Sequence, residues 1–302
     1  WLTISVVTII PGLIFMGIGG LKPNVEFRGG YEAAYTLNDA SVSAPQIVQA
    51  LDRAGFEGAN VKLGTAKDDK KVAYITLPPS KELEDAGTNA SALIAEKAGI
   101  QGTPAGFTRV GPTVQQETIR NAYLGVIYST LLIVLFLTIR FGLALGNLVL
   151  GLRFGLSAIL ALVHDVLVVL GISAIVGYFM GWEVSALFIT SMLTVIGFSV
   201  HDTIVIFDRI RENLRLPRKG EEFGHLIDRS VTKSFARSLN TSMTVIATLI
   251  ILLVVGTATP DLKLFCVTML AGILSGTYSS IFNASPILWL WDNVVRRTRG
   301  EE

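Results

Sequence analysis

Long apolar runs dominate this sequence and constrain its fold more than any other feature. A helix needs about 20 apolar residues to cross the roughly 30 Å hydrocarbon core of a bilayer, and six segments approach or exceed that length. They are residues 1–18, 122–139, 156–177, 184–207, 240–257 and 264–290. Of the 302 residues, 51% are apolar and only 16% are charged, whereas soluble domains carry about 25% charged residues. The sequence therefore predicts an α-helical membrane protein with six transmembrane helices.

The first apolar segment begins at Trp1, without an initiator methionine. We therefore expect the chain to be part of a longer protein, one half of a fusion or a truncated chain. The opening run WLTISVVTIIPGLIFMGIGG has no basic flank and no clear small-residue cleavage site. It is predicted to be an uncleaved transmembrane anchor rather than a signal peptide.

One large polar block, residues 21–121, separates the first two apolar segments and carries alternating strand and helix patterns. The predicted elements are a strand at 31–37, a helix at 44–55, strands at 59–64 and 71–78, a helix at 81–99 and a strand at 107–114. The order βαββαβ describes an α+β, ferredoxin-like domain inserted between the first and second helices. Because the block contains no His, no Cys and no Gly-rich phosphate loop, we expect a moving or peptide-gripping domain without an active site.

The positions of lysine and arginine predict the orientation of the chain in the membrane. They cluster in 208–238, near the C-terminus, and beside the second and third spans, which is one side of the membrane if there are six spans. Basic loops face the cytoplasm, so both termini are predicted to be cytoplasmic, the polar block extracytoplasmic, and the basic residues topology determinants and phospholipid contacts. The predicted units are the first transmembrane helix (1–20), the extracytoplasmic domain (21–121), the five-helix transmembrane region (122–292) and the cytoplasmic tail (293–302). The basic cytoplasmic linker (208–238) lies within the five-helix region. A net charge of +1 gives no reason to expect a nucleic-acid partner.

The fourth span carries an acid, Asp202, inside an otherwise apolar run, although a charged side chain is costly to insert there. Asp202 lies roughly 8 Å from the cytoplasmic end of its span, and Arg237 stands just ahead of Asn240, where the fifth span enters from the same side. Depth alone permits an Asp202–Arg237 pair. Ser199 and Thr203 lie near Asp202 on the same helix.

Two spans each carry a His-Asp pair, His164-Asp165 and His201-Asp202. An aspartate that alternates between a desolvated site and a site beside a guanidinium takes up and releases a proton. We therefore expect a proton relay, with the alternative that Asp202 and Arg237 form a static bridge that fixes helix packing. For Asp165 both roles stay open, and His164 and His201 are expected to make structural hydrogen bonds unless they titrate.

The same residues bear on three other functions. A metal site is not expected, because the H-E-x-x-H motif of membrane metalloproteases is absent and adjacent residues of a helix point about 100° apart. A proton-coupled transporter of a small molecule or lipid, and a passive structural subunit, both stay open. Gly272 and Gly276 have the G-x-x-x-G spacing of close helix packing, and the single cysteine, Cys266, is expected to serve packing alone.

Several stretches resemble the SecF family of membrane components of protein export, which belongs to the resistance-nodulation-division superfamily. The most specific is TVIGFSVHDTIVIFDRIREN at 194–213, and it is supported by SVTKSFARSLNTSMT, VGPTVQQETIRNAYLGV, ALVHDVLVVLG and EFRGG elsewhere in the chain. This family has six transmembrane helices and a periplasmic ferredoxin-like domain after the first, which matches the expectation from composition and pattern.

The resemblance implies a subunit, not an enzyme, that uses the proton-motive force to complete preprotein translocation, with no cofactor beyond the transmembrane proton gradient. It implies the bacterial inner membrane as the location. The implied partners are SecD, fused or separate, the SecYEG channel, the unfolded preprotein and, indirectly, the ATPase SecA. The proton-sensitive aspartate of the family falls on Asp202, and the arginine of its R-x-x-N-T-S motif falls on Arg237.

This sequence departs from the family in three places, one of which is the Asn-Val lead-in to EFRGG, where relatives commonly have Gly-Asp or Ile-Asp. Residues 142–153 look like extra length, so a re-entrant or surface-lying turn is expected there. His201 stands where relatives often have Asn, so titration of this histidine is not a general requirement of the motif.

Overall fold

The computed structural model describes residues 2–39, 41–65, 70–216, 218–255 and 259–299. It is mostly helical, with a four-stranded and a two-stranded sheet within these residues. Five helical stretches in the described residues are long and apolar enough to cross a membrane. They are α6 (Pro112–Leu145), α7 (Leu148–Met180), α8 (Ala186–Arg215), α9 (Phe223–Val255) and a composite of α10 (Pro260–Ser279), a π-helical turn (Ser280–Ala284) and α11 (Ser285–Arg299).

The predicted first span is present as a shorter helix, α1 (Leu2–Gly17). Its 16 residues give a length of about 24 Å at 1.5 Å per residue, which is less than the roughly 30 Å of a hydrocarbon core. The sixth span thus stays a prediction, whereas the five long helices match the other five apolar segments of the sequence.

The polar block has the predicted order of strands and helices, except that the single helix predicted at 81–99 is divided into two by a 3-10 turn at Gly87–Asn89. Its elements are β2 (Gly30–Leu37), α3 (Ala44–Arg53), β3 (Asn60–Thr65), β4 (Lys71–Leu77), α4 (Lys81–Ala86), α5 (Ala90–Lys97) and β5 (Gly102–Val110), after the short β1 (Lys22–Pro23) and α2 (Val25–Arg28). The strand order is β3-β4-β2-β5, and every neighbouring pair is antiparallel. One face of β2, with Tyr31, Ala33 and Tyr35, is buried against Leu51 of α3 and Ile94 of α5, because alternate strand residues point to the same side of a sheet.

Helix boundaries differ from the prediction where long helices continue beyond the apolar segments. The last strand of the block ends at Val110 rather than 114, because Gly111 caps α6 and Pro112 occupies its first turn, a position that suits proline. The predicted linker 208–238 is mostly helical, since α8 runs to Arg215 and α9 begins at Phe223. The predicted tail 293–302 is likewise helical up to Arg299.

Residues 142–153 form two helix ends joined by a tight turn. Helix α6 continues to Leu145, Gly146 ends it with a left-handed φ of 66°, and the Asn147 side chain caps α7 by accepting the amides of Val149 and Leu150. The connection is thus a short turn between two helices, while its re-entrant or surface-lying position in the membrane stays a prediction. Gly142 and Gly151 serve close packing, since a Cβ on Gly142 would lie 2.8 Å from Leu148 Cδ2 and one on Gly151 would lie 2.4 Å from the Gly142 backbone nitrogen.

A glycine contact holds α1 against α7. A Cβ added at Gly12 would lie 2.4 Å from the Gly171 Cα, and one added at Gly171 would lie 2.7 Å from the Gly12 Cα. Neither backbone can yield locally, so the two helices touch through their glycines.

Replacing Gly12 by leucine should therefore separate α1 from α7, because no rotamer removes the clash of the Cβ with the Gly171 backbone. We expect faster amide hydrogen exchange along residues 2–17 in reconstituted protein. The matched control is Gly17→Leu on the same helix, where nothing lies within 4 Å of an added Cβ. Equal exchange in the two variants would contradict this view of the contact.

Candidate functional site

A fully buried carboxylate, Asp165 of α7, lies at the centre of the helical region. It accepts hydrogen bonds from Ser199 Oγ at 2.6 Å, Ser275 Oγ at 2.7 Å and Ser279 Oγ at 2.6 Å. The ring nitrogen His164 Nδ1 lies 3.1 Å from Asp165 Oδ1. Because an ionised carboxylate only accepts hydrogen bonds, this arrangement supplies the donors that a buried charge needs.

Three helices contribute to this group, which we call the serine cage: Asp165, Ser199, Ser275 and Ser279. Ser199 lies on α8, while Ser275 and Ser279 are four residues apart on α10 and so share one face of that helix. Sequence reasoning had placed Ser199 beside Asp202. The structure instead bonds Ser199 to Asp165, because the Ser199 hydroxyl points across the helix interface rather than along its own helix.

The glycine spacing on α10 makes the serine cage compact. A Cβ on Gly272 would lie 2.2 Å from Val195 Cγ2, and a Cβ on Gly276 would lie 3.1 Å from the Ser199 Cα. The predicted role of these glycines in close helix packing is confirmed, and their partner is α8.

The second acid, Asp202 of α8, is only 2% exposed but has a different environment. The side chains of Ser238 on α9 and Thr277 on α10 lie beside it. In the described part of the chain, Asp202 Oδ2 and Ser238 Oγ are both buried without a hydrogen-bond partner, while Thr277 Oγ1 lies 2.6 Å from Ser242 Oγ. Asp202 thus has two hydroxyl groups beside it but keeps one carboxylate oxygen without a hydrogen-bond partner, unlike Asp165.

The predicted pair of Asp202 with Arg237 is not formed in this structure. No ion pair joins them within the described ranges, and Arg237 is exposed whereas the next residue, Ser238, is buried. Successive helical residues point about 100° apart. Since Ser238 faces Asp202, Arg237 faces away from it. The depth of a residue along its span does not show which way its side chain points around the helix axis.

Three further predicted residues occupy different places. His201 and Asn240 are exposed, and within the described residues no hydrogen bond or ion pair joins either of them to Asp165 or Asp202. Thr203 is buried, and its Oγ1 lies 3.0 Å from Ser280 Oγ of the π-helical turn, on the other side of α8 from the exposed His201.

His164 makes the structural hydrogen bond expected of it, and it connects the serine cage to α1. Its ring lies against that of Tyr278, with 5.9 Å between centroids. Tyr278 OH lies 3.5 Å from Ser5 Oγ, and Ser5 donates to Asn283 Oδ1 at 3.3 Å. Sequence reasoning missed Ser275, Ser279 and Tyr278, although serines four residues apart in an apolar helix are a usable signal.

No group of three or more His, Cys, Asp or Glu side chains that could hold a metal ion occurs among the described residues. Cys266 is buried, as its expected packing role requires.

The fold and the site define a class: a multi-pass helical membrane protein with a small α+β unit ahead of its long helices and acids buried between its spans. The family model described as "Protein export membrane protein SecD/SecF, C-terminal" matches residues 94–294. The chain belongs to this SecD/SecF family.

Individual relatives agree over nearly the whole chain. The protein translocase subunit SecF of Thermobaculum terrenum is 38% identical and covers 99% of this chain and 95% of its own length. The subunit SecF of Anaerolinea thermophila is 36% identical over 96% of this chain and 91% of its own length. The crystal structure of Thermus thermophilus SecDF, titled a translocon-associated membrane protein, has a TM-score of 0.76 and 29% identity, covering 96% of this chain and 38% of that one. These names support a role in protein export.

Proposed function

We propose that this chain is a protein-export subunit that uses the proton-motive force to complete preprotein translocation after the SecA-driven stage. It acts with SecD at the SecYEG channel, as an accessory component rather than an enzyme, and needs no cofactor beyond the proton gradient. In this proposal α1 is a sixth span, the ferredoxin-like unit lies outside the bacterial inner membrane and grips the unfolded preprotein, and both termini are cytoplasmic.

The observation that carries the proposal is the contrast between two buried carboxyls. Asp165 has three hydroxyl donors, whereas Asp202 faces Ser238 and has a buried oxygen without a donor. A carboxyl in this position needs either a proton or a cation brought to it. Asp202 is therefore the group on which proton uptake has the greatest structural consequence.

Arg237 supplies the cation in the second state. It directly precedes Ser238, so turning α9 by about 100° would replace the Ser238 hydroxyl by the Arg237 guanidinium in front of Asp202. Asp202 would be protonated while it faces Ser238 and ionised while it faces Arg237. This alternation couples proton uptake and release to rotation of one helix against its neighbours.

The serine cage holds the helices around α9 in place while α9 turns. Ser199 of α8 binds Asp165 and lies one turn from Asp202, so α7, α8 and α10 hold together while α9 moves. The outer ends of α7 and α8 are joined through β6 (Glu183–Val184), which pairs with β1 next to the α+β unit. A shift of these helices is thereby transmitted to that unit.

Replacing Asp202 by asparagine should abolish the part of export that depends on the proton gradient, because the amide neither takes up a proton nor attracts Arg237. We expect the ATP-driven stage to continue and the gradient-dependent stimulation to be lost. The measurement is translocation of a preprotein into membrane vesicles, with and without a proton gradient.

The control is His201→Asn, which changes the neighbouring but exposed residue and should leave the stimulation intact. Gradient-dependent stimulation that survives in the Asp202→Asn variant would overturn the relay. The two alternatives have their own signatures. A transporter would move a solute in vesicles that lack the Sec channel, and a passive subunit would lose complex assembly without any proton flux.

A further inference from the structure

The α+β unit meets the outer ends of the long helices through a small mixed interface. Strand β1 pairs in parallel with β6, and the Asn24 amide donates to the Val184 carbonyl at 3.0 Å. Glu26 Oε2 accepts the Ala186 amide, at 2.5 Å, where α8 begins. These bonds connect the unit directly to the segment between α7 and α8.

A buried acid forms the centre of this interface. Glu183 of β6 is 2% exposed and forms ion pairs with Arg28 at 3.0 Å and Lys62 at 3.2 Å. Thr76 Oγ1 donates to the same carboxylate at 3.2 Å. Both cations are thus engaged by Glu183.

Two more acids face each other across the interface. Glu32 of β2 and Asp261 of α10 line one cavity of about 90 Å³ together with Tyr74, Thr76 and Lys62. Glu32 comes from the α+β unit and Asp261 from the first turn of a long helix. The cavity is large enough for water, yet the one cation in it, Lys62, already binds Glu183.

The charges at the interface do not balance. Four carboxyl groups, those of Glu26, Glu32, Glu183 and Asp261, surround two cations, Arg28 and Lys62. Two negative charges are therefore left over when every group is ionised. Like charges held close together in a partly desolvated site repel, and one proton relieves the repulsion.

We propose that the contact between the α+β unit and the helices is a pH-sensitive latch, in which a proton on Glu32 holds the unit docked and loss of that proton loosens it. The groups that face Glu32 from the packed elements are Lys62 of β3, Tyr74 of β4, Glu26 of α2, Glu183 of β6 and Asp261 of α10. Three of the five are carboxylates and one is a cation, so on balance they disfavour a charge on Glu32. The link of this latch to proton-driven export rests on the proposed function, because the membrane orientation proposed above would place the latch on the proton-rich side of the membrane.

The pH window follows from the pKa of Glu32. Burial, and next the Asp261 charge, raise that pKa from 4.5 to about 7 in the docked state. A group whose pKa is raised by docking stabilises the docked state fully below its ordinary pKa and loses that contribution as the pH rises through the raised value. Docking should thus weaken between about pH 5 and pH 7 and then level off.

The size of the effect follows from the same two pKa values. Linkage gives a change in the docking equilibrium of up to roughly 70-fold between pH 5 and pH 8. Solvent reaches the half-buried Glu32 side chain and screens part of the interaction. We therefore expect at least about a tenfold change.

The test compares amide hydrogen exchange of residues 20–30 and 180–190 between the wild type and Glu32→Gln, both in lipid nanodiscs, from pH 5 to pH 8. Comparing the two proteins at each pH removes the intrinsic pH dependence of exchange. We expect similar protection at pH 5 and a wild-type interface that exchanges about tenfold faster or more at pH 8, because glutamine mimics the protonated acid. Protection of β2 and β4 in both proteins reports that the unit itself stays folded.

Two further variants sharpen the result. Asp261→Asn removes the neighbouring charge and should shift the wild-type transition to lower pH, whereas Glu96→Gln, on an exposed acid of α5, should change nothing. Identical pH profiles for the wild type and Glu32→Gln would overturn the latch. Because the assay uses neither a Sec channel nor a gradient, it is independent of the relay, and the Asp202→Asn variant should show the wild-type latch.

Discussion

Replacing Asp165 by alanine is expected to cause the largest loss of stability of any single substitution in the helical region. Three serine hydroxyls and the His164 ring would lose their common acceptor. Leaving a buried polar group unpaired costs about 1–3 kcal/mol. Serine hydroxyls in helices can bond instead to carbonyls of their own helix, so the costs do not simply add up. We therefore expect the free energy of unfolding to fall by about 3 kcal/mol in total. Thermal unfolding in detergent should show a decrease in Tm of roughly 5–10 °C.

Asparagine at the same position separates this effect from the loss of volume. Asp165→Asn keeps one oxygen acceptor and fills the space, so its Tm should lie between those of the wild type and the alanine variant. Asp228→Ala removes an exposed acid from α9 and should leave the Tm within about 1–2 °C, since such surface changes are usually small. If the Asp165→Ala variant has the same Tm as the wild type, the carboxylate does not stabilise the serine cage.

Alanine in place of Gly272 is expected to destabilise the contact between α10 and α8 by about 1–3 kcal/mol, the usual range for overpacking a core. The added Cβ would lie within 3 Å of three side-chain atoms of Val195. Since the same contact positions Ser275 and Ser199 around Asp165, the serine cage should loosen as well. The Tm in detergent measures the first effect.

A second substitution on α8 should restore part of the loss, because the Val195 Cβ, 2.9 Å from the added methyl group, would remain. Val195→Ala removes both Cγ atoms that the new methyl group would meet, so the double variant should be more stable than Gly272→Ala alone. The coupling between the two sites would show as non-additivity in a double-mutant cycle. The matched control is Gly197→Ala on α8, where an added Cβ meets nothing within 4 Å and should stabilise the helix slightly. Additive effects of the two substitutions would contradict the contact.

The sequence was sufficient to predict the apolar helices and the order of strands and helices in the polar block. Apolar length sets which segments cross a bilayer, and alternating burial sets the strands, both of which are local properties. Helix ends were harder to predict, because α6, α8 and α9 continue beyond the hydrocarbon core, where hydropathy no longer marks a helix. There, buried residues such as Ile210 and Leu226 extend the packing into the polar region.

Rotation about the helix axis explains most of what sequence reasoning missed at the site. Position along a span gives the depth of a residue, but a helix that is apolar all round carries no stripe to show which side faces its neighbours. Depth made Asp202 and Arg237 candidates for a pair, yet Ser238 is the residue that α9 turns towards Asp202. The same limit hid Ser275 and Ser279, whose role depends on which side of α10 faces α7.

The π-helical turn at Ser280–Ala284 gives the last long helix an adjustable joint. A π turn contains one more residue than an α turn, so moving that surplus along the helix re-registers the residues it passes by about 100°. Ser280 contacts Thr203 of α8, and Asn283 contacts Ser5 of α1. Migration of the turn would exchange these partners while both ends of the helix keep their places, so neighbouring spans could change their contacts without any displacement along the helix axis.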